Sequence, residues 1–299
     1  MKHLIEIDEM ARGRNATPVV AAVWPEDDST LNALAMALEH GIADVIAVGC
    51  HEQILAKLAG KPGTERLEAV EAATPAEAAS VAVALVRQGK TQLIMKGLVN
   101  TDVLLKAVLN KECGLMEPGG VLTHVTIGEI PVHHKLLLFG DVAVLPCPNA
   151  EQREAQLRLM LRMARRLGID RPRVAMVHCS EKVDERHFPV TAHYRDLVGR
   201  AATGEFGDCI VDGPLDIKTV LNAHAAAVKG INSPLQGDAD ILVFPEIESG
   251  NVFYKAMTLF ADMKTAALVC GARVPLVVPS RGDDSDTKFH SLAAATILL

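Results

Sequence analysis

Three stretches of this 299-residue sequence carry side chains able to hold an anion and move a proton. The first runs Leu242-Val-Phe-Pro-Glu-Ile-Glu-Ser-Gly250-Asn251-Val-Phe-Tyr-Lys255. Gly250 leaves room for backbone to approach a ligand, Asn251 falls near a helix start, and Lys255 follows about one turn later, which together suit an anion cradle. The same residues read as a helix cap followed by a surface lysine. The second is Pro275-Leu-Val-Val-Pro279-Ser280-Arg281-Gly282-Asp283-Asp284-Ser285-Asp286. A hydroxyl and a guanidinium leave a strand end side by side, with carboxylates inside the next turn. Arginine suits forked recognition of a phosphate or a developing oxyanion, and a nearby acid can act as general base toward a thiol. An Arg–Asp pair capping the last helix is the plain alternative. The third is Ile94-Met95-Lys96-Gly97-Leu98-Val99-Asn100-Thr101-Asp102, followed by Lys106. Lys96 ends a buried strand, where an ammonium is costly unless it meets a partner.

These stretches all lie where an apolar run gives way to a helical pattern. Strands are expected at 18–24, 44–48 and 92–95, alternating with helices at 31–39 and 101–110 and one opened by Thr74-Pro75-Ala76-Glu77 and running to Arg87. That rhythm predicts a parallel, doubly wound sheet. The middle changes style, with strand-like runs at 121–126, 133–139 and 142–145 too close together for helices between them. A long helix over 150–167 follows. Alternation then resumes through strands at 173–177, 209–211, 241–244, 266–269 and 274–278 and helical stretches at 191–200, 216–228, 252–261 and 285–297. Two lobes follow from the two styles, with the last strand and helix returning to the first. In open sheets of this kind, ligands bind where strands end and helices begin.

Composition excludes several classes. A net charge of −7 argues against a dedicated nucleic-acid binder, which needs a basic footprint. The 49% hydrophobic content with only 3% aromatics puts the core on Ala, Val, Leu and Ile. Cys50, Cys113, Cys147, Cys179, Cys209 and Cys270 are widely and irregularly spaced, which suits reduced thiols rather than a disulfide frame or a zinc site. The N-terminus reads as no secretory signal, and no run reaches the length of a membrane span; a cytoplasmic protein is expected.

Other polar clusters read as structural. The seven arginines between Glu151 and Arg173 are expected on the solvated face of the long helix, opposite Leu157, Leu161, Ala164 and Leu167. His133 and His134, and His178 and Cys179, are expected to point to opposite faces of strands, so neither pair forms a site. In the fourth and fifth junctions, His178-Cys179-Ser180-Glu181-Lys182 and Val211-Asp212-Gly213-Pro214-Leu215-Asp216, Asp216 is expected to cap a helix. No metal-binding pattern is present.

Taken in order, Met95-Lys-Gly-Leu…Asn100-Thr101, Val211-Asp-Gly-Pro-Leu, Ala239-Asp-Ile-Leu-Val-Phe-Pro…Ser249-Gly-Asn-Val-Phe-Tyr-Lys255, Gly271-Ala-Arg-Val-Pro and Ser280-Arg281 resemble the phosphate acetyltransferase/phosphate butyryltransferase family. The likeness covers about residue 90 to the C-terminus, and its spelling is closer to the butyryltransferase branch. It implies an α/β, two-domain, isopropylmalate dehydrogenase-like fold of mostly parallel sheets with helices on both faces. The domains expected are 1–115 with 272–299, and 116–271, with the active site in the cleft between them, usually in a homodimer. The implied reaction is acyl-CoA plus phosphate giving acyl phosphate plus CoA, without a metal or a cofactor beyond CoA as substrate. The resemblance gives Arg281 the phosphate and the carbonyl oxygen, and Ser280 the sulfur. The family's thiol base counts onto Thr287, so the neighbouring Asp286 is assigned, with Asp283 and Asp284 as alternatives. Lys106 stands where the family has a second cationic contact. Lys96, Asn100, Thr101, Gly250, Asn251 and Lys255 complete the expected substrate-binding set. The segment Asp141-Val-Ala-Val-Leu145 lacks the family's asparagine and is given no role. A non-catalytic acyl-CoA sensor and a metal-dependent dehydrogenase of the same superfamily fold are the alternatives.

Overall fold

The computed structural model describes residues 1–280 and 282–299. The chain divides into two compact units, His3–Val121 with Thr265–Leu299, and Met1–Lys2 with Leu122–Lys264.

The first unit opens with α1 (Leu4–Arg12), then β1 (Val19–Val23), α2 (Asp28–Glu39), β2 (Asp44–Gly49), α3 (His51–Leu58), β3 (Leu67–Glu71), α4 (Pro75–Arg87), β4 (Leu93–Lys96) and α5 (Thr101–Val108). Side-chain caps fix where its helices begin. The Asp27 carboxylate accepts the Thr30 N–H at the start of α2, and Thr74 accepts from Glu77 at the start of α4, with Pro75 next in line. The second unit carries β5 (Thr123–Glu129), β6 (Leu137–Gly140), α6 (Ala150–Arg166), β7 (Arg173–Val177), α7 (Val190–Ala202), β8 (Ile210–Leu215), α8 (Ile217–Leu221), α9 (Ala223–Val228), β9 (Ile241–Val243) and α10 (Ile247–Phe260). The chain closes with β10 (Lys264–Cys270), β11 (Leu276–Val277) and α11 (Ser285–Ile297), which return to the first unit.

Strand order in the first unit is β3-β2-β1-β4-β11-β10. All neighbours are parallel except β10 and β11. The chain runs outward from β1 to β3 and then crosses back to β4 on the other side of β1. With right-handed crossovers, that reversal sends α2 and α4 to opposite faces. Accordingly α1, α2 and α11 pack together while α4 packs on α5. Val23 pairs with Lys96 and Val277 with Met95, so β1, β4 and β11 end level with one another at the point of reversal. In the second unit the order is β5-β6-β9-β7-β8, antiparallel only between β5 and β6. Gly140, Val243 and Met176 are in register. The architecture is the expected α/β with mostly parallel pairing.

Several local expectations change. Residues 142–145 form no strand, because the Asp141 carboxylate engages them locally: Oδ1 accepts from the Ala143 and Val144 N–H groups, each at 2.8 Å. These donors are then lost to a ladder. His133 and His134 lie in the turn before β6 with ring centroids 4.7 Å apart, rather than on opposite faces of a strand. His178 and Cys179 also lie outside a strand, with Sγ 3.9 Å from Nδ1. The stretch 216–228 breaks into two short helices, since the Asn222 side chain caps the second by accepting from Ala225. The expected solvated arginine face holds for Arg158, which pairs with Glu154 and Glu205. It fails for Arg153, which is 1% exposed.

Candidate active site

In the first unit, a cavity of about 80 Å³ opens at the level ends of β1, β4 and β11, lined by Asp27, Ser29, Lys96, Gly97, Leu98, Pro279, Ser280 and Lys288. Its position at the reversal of strand order is where open parallel sheets bind ligands. Lys96 is 4% exposed. Its ammonium donates to the carbonyls of Gly97 at 3.2 Å and Val99 at 3.1 Å, so the turn into α5 helps to offset the cost of burying it. Gly97 is required here, because a Cβ would fall 2.4 Å from the Trp24 carbonyl oxygen. Asn100 occupies the cap position of α5, Thr101 begins it, and Lys106 lies in its last turn; all three are exposed.

Lys288 forms another wall. It is 3% exposed, and its ammonium donates to Asp27 Oδ1 at 2.8 Å, Ser29 Oγ at 2.7 Å and Thr30 Oγ1 at 2.9 Å. Burial pushes the Asp27 carboxyl up, but hydrogen bonds from Lys288, Thr30 and Ser29 outweigh it and hold the group well below its ordinary value.

The three aspartates after Ser280 divide their work. Asp283 Oδ2 accepts the Ser280 N–H at 2.8 Å and Asp284 caps α11 by accepting from Thr287 at 2.8 Å. Asp286 stands exposed in the first turn of that helix. Arg281 lies outside the described residues.

In the second unit, α10 starts just after β9 and is held by the 141–142 turn. Gly250 is buried, and a Cβ on it would meet the Asp141 carbonyl oxygen at 2.2 Å. The close approach that this glycine permits is therefore to the chain's own backbone. Asn251 donates from Nδ2 to the Val142 carbonyl at 3.0 Å. Lys255 is exposed, its Nζ 4.7 Å from the centre of the Tyr254 ring. Asp141 is 2% exposed, and its Oδ2 accepts from Thr123 Oγ1 at 3.0 Å and the His124 N–H at 2.7 Å.

Beneath this junction, Arg153 stacks over Tyr194 at 5.3 Å. It donates to the carbonyls of Phe244 at 3.0 Å, Pro245 at 2.8 Å and Pro148 at 3.1 Å. The arginine thus holds the backbone of the turn from β9 into α10. Arg153, Asp27 and Lys288 were all outside the sequence-derived set. The signals were faint: an arginine on the Leu157–Leu161 side of a helix, and a lysine one turn into α11.

The other junctions are structural. The Ser180 N–H donates to His178 Nδ1 at 3.1 Å, and Asp216 caps α8 through Thr219 while accepting from Lys229 at 2.5 Å. Among the described residues, no group of three or more His, Cys, Asp or Glu side chains is placed to hold a metal ion.

Comparison with known proteins gives the chain a family. Residues 53–296 match the family described as phosphate acetyl/butaryl transferase. Phosphate butyryltransferase of Clostridium acetobutylicum is 35% identical, the match spanning 100% of this chain and 98% of the relative. Phosphate acetyltransferase of Thermotoga maritima is 33% identical over 98% and 99% of the two chains. A branched-chain phosphotransacylase of Enterococcus faecalis V583 superposes with a TM-score of 0.80 at 29% identity, covering 94% of this chain and 99% of that one. A 4-hydroxythreonine-4-phosphate dehydrogenase of Burkholderia phymatum shares the fold at a TM-score of 0.56 and 13% identity, covering 95% of this chain and 99% of that one. With a match over most of its length and relatives above 30% identity from end to end, this chain belongs to the phosphate acetyl/butyryl transferase family.

Proposed function

We propose that this protein moves a short acyl group between coenzyme A and inorganic phosphate. The observation that carries the proposal is the full-length family match, supported by the meeting of Ser280 and Lys96 in one cavity at the strand-order reversal. A phosphate oxygen attacks the thioester carbonyl carbon, the C–S bond breaks, and the sulfur leaves to become the CoA thiol on taking up a proton. Both substrates are anionic, so positioning and charge neutralisation are the main requirements. Arg281 holds phosphate and the carbonyl oxygen as it becomes negative, and Ser280 hydrogen-bonds the sulfur. Asp286 exchanges the thiol proton; Asp283 and Asp284 instead fasten the loop and the helix. Lys96, Asn100, Thr101, Lys106, Gly250, Asn251 and Lys255 shape or contact the substrate sites.

The reading includes two domains of isopropylmalate dehydrogenase-like fold, 1–115 with 272–299 and 116–271, with the active site in the cleft between them. It also includes a cytoplasmic homodimer that binds neither nucleic acid nor membrane and needs no cofactor beyond CoA as substrate. Val252, Leu259 and Phe260 are 68%, 72% and 83% exposed on α10, an apolar surface of the kind a second copy covers. A solution mass of one chain would remove the dimer.

The activity is tested by offering acetyl-, butyryl- and branched acyl-CoAs with phosphate and following thiol release. Phosphate-dependent release with at least one acyl-CoA is expected. CoA binding without release would favour a non-catalytic acyl-CoA sensor instead, and NAD-dependent activity abolished by a chelator would favour the dehydrogenase.

A further inference from the structure

Lys288 raises a question that stability does not answer. Taking an ammonium and a carboxylate out of water costs several kcal/mol per ion, and apolar side chains of similar volume are often as stable or more so in the same place. Yet Lys288 is 3% exposed and paired with Asp27 at 2.8 Å. All three ammonium protons are used, on Asp27, Ser29 and Thr30, so none is left to donate to a substrate.

What the arrangement supplies is a fixed geometry. The three acceptors belong to the cap and first turn of α2, immediately after β1. Lys288 itself belongs to the first turns of α11, and its own N–H donates to the carbonyl of the cap residue Asp284 at 3.2 Å. A point charge with three directed bonds, one to a carboxylate, therefore ties the start of one helix to the start of another. The tied segments carry the cavity wall. Asp27 and Ser29 come from the first, Ser280 precedes the second, and Asp286 stands in the second's opening turn. An apolar contact at this point would allow the two helix starts to slide; three hydrogen bonds of 2.7–2.9 Å do not.

We propose that Lys288 is a positioning residue for acyl transfer, locking Ser280 and Asp286 to the β1–α2 junction without touching substrate. This rests on the transferase reading given above. A displacement of about 1 Å in a group that handles the reacting atoms costs on the order of 10² in rate, so the lock should be visible in turnover rather than in binding.

The test compares wild type, Lys288→Met and the double variant Asp27→Asn/Lys288→Met, measuring kcat, the two KM values and the thermal midpoint. In Lys288→Met, kcat is expected to fall roughly 10- to 100-fold with both KM values within about threefold. The thermal midpoint falls as well, because Asp27 is left half-buried without its cation. The double variant removes both charges, so its midpoint is expected to climb back toward wild type while kcat stays low. Recovery of kcat together with the midpoint would reduce Lys288 to a stabilising residue and overturn the proposal. An unchanged kcat in Lys288→Met would do the same. If the single variant does not fold, kcat of the double variant decides alone. Wild type inactive on every acyl-CoA would sink the transferase reading and this inference with it, whereas active wild type beside an unimpaired Lys288→Met sinks only the inference.

Discussion

Lysine is among the side chains least suited to burial, and this chain buries two of them, Lys96 and Lys288, on the wall of a single cavity. They differ in their partners. Lys288 is neutralised by a carboxylate, while Lys96 donates to the carbonyls that shape its own turn. Arg281 follows Ser280 in the sequence and is the proposed carrier of the oxyanion. Arg281→Ala is expected to lose about 10²–10³ in kcat, as for removal of one oxyanion donor, and Asp286→Ala is expected to lose about 10²–10⁴, as for removal of a general base. Thiol-release kinetics with phosphate in excess check both. Near-normal turnover in Arg281→Ala would remove the oxyanion role, and near-normal turnover in Asp286→Ala would return the base to one of its neighbours.

At the scale of elements, the inner strands were legible because they are buried on both faces. β1 and β9 read as unbroken Val, Ala, Ile and Leu runs, and β4 and β7 are apolar apart from Lys96 and Arg173 at their ends. α1 went unassigned because Glu6, Asp8 and Glu9 interrupt the apolar residues. Its buried face is nonetheless helical in spacing, at Leu4, Ile7, Asp8 and Ala11. Residues 142–145 were misleading in the opposite sense: the run is apolar, but a neighbouring carboxylate competes for the N–H groups that a strand needs. Strand ends are readable from sequence, so Ser280 and Lys96 could be placed at a cavity. Arg153 and Lys288 were not, since their partners lie 91 and 261 residues away and leave no local trace. The turn from β9 into α10 depends on Arg153 in this way. Arg153→Met should lower unfolding free energy by about 3 kcal/mol, the scale of leaving several buried carbonyls without donors. Urea denaturation reads this directly, and a loss below about 1 kcal/mol would mean that the carbonyls find other donors.

For the whole molecule, the perturbed groups predict how stability responds to acid. Burial pushes the His124 imidazole below its ordinary value, against an opposing pull from Asp141. Burial also lowers His133, helped by His134 and Lys135. In both cases the unfolded chain takes up a proton more readily than the folded one, so stability is present above the unfolded value near 6.5 and declines as pH falls through it. Asp27 and Asp216 are held well below the ordinary carboxyl range, because hydrogen bonds led by Lys288 and Lys229 outweigh their burial. Their contribution is intact above about pH 4 and is lost only on further acidification. Acid should therefore weaken the fold in two stages, imidazoles first and carboxylates second. One buried imidazole that stays neutral accounts for up to about 2 kcal/mol between pH 7 and 5. Because His124 is 8% exposed and contacts Thr126 at 3.3 Å, His124→Gln retains a hydrogen-bonding side chain while removing the titration. Urea midpoints at pH 7, 6 and 5 are expected to fall less steeply in that variant than in wild type. Parallel declines would show that the first stage originates elsewhere, with His133 the next group to replace.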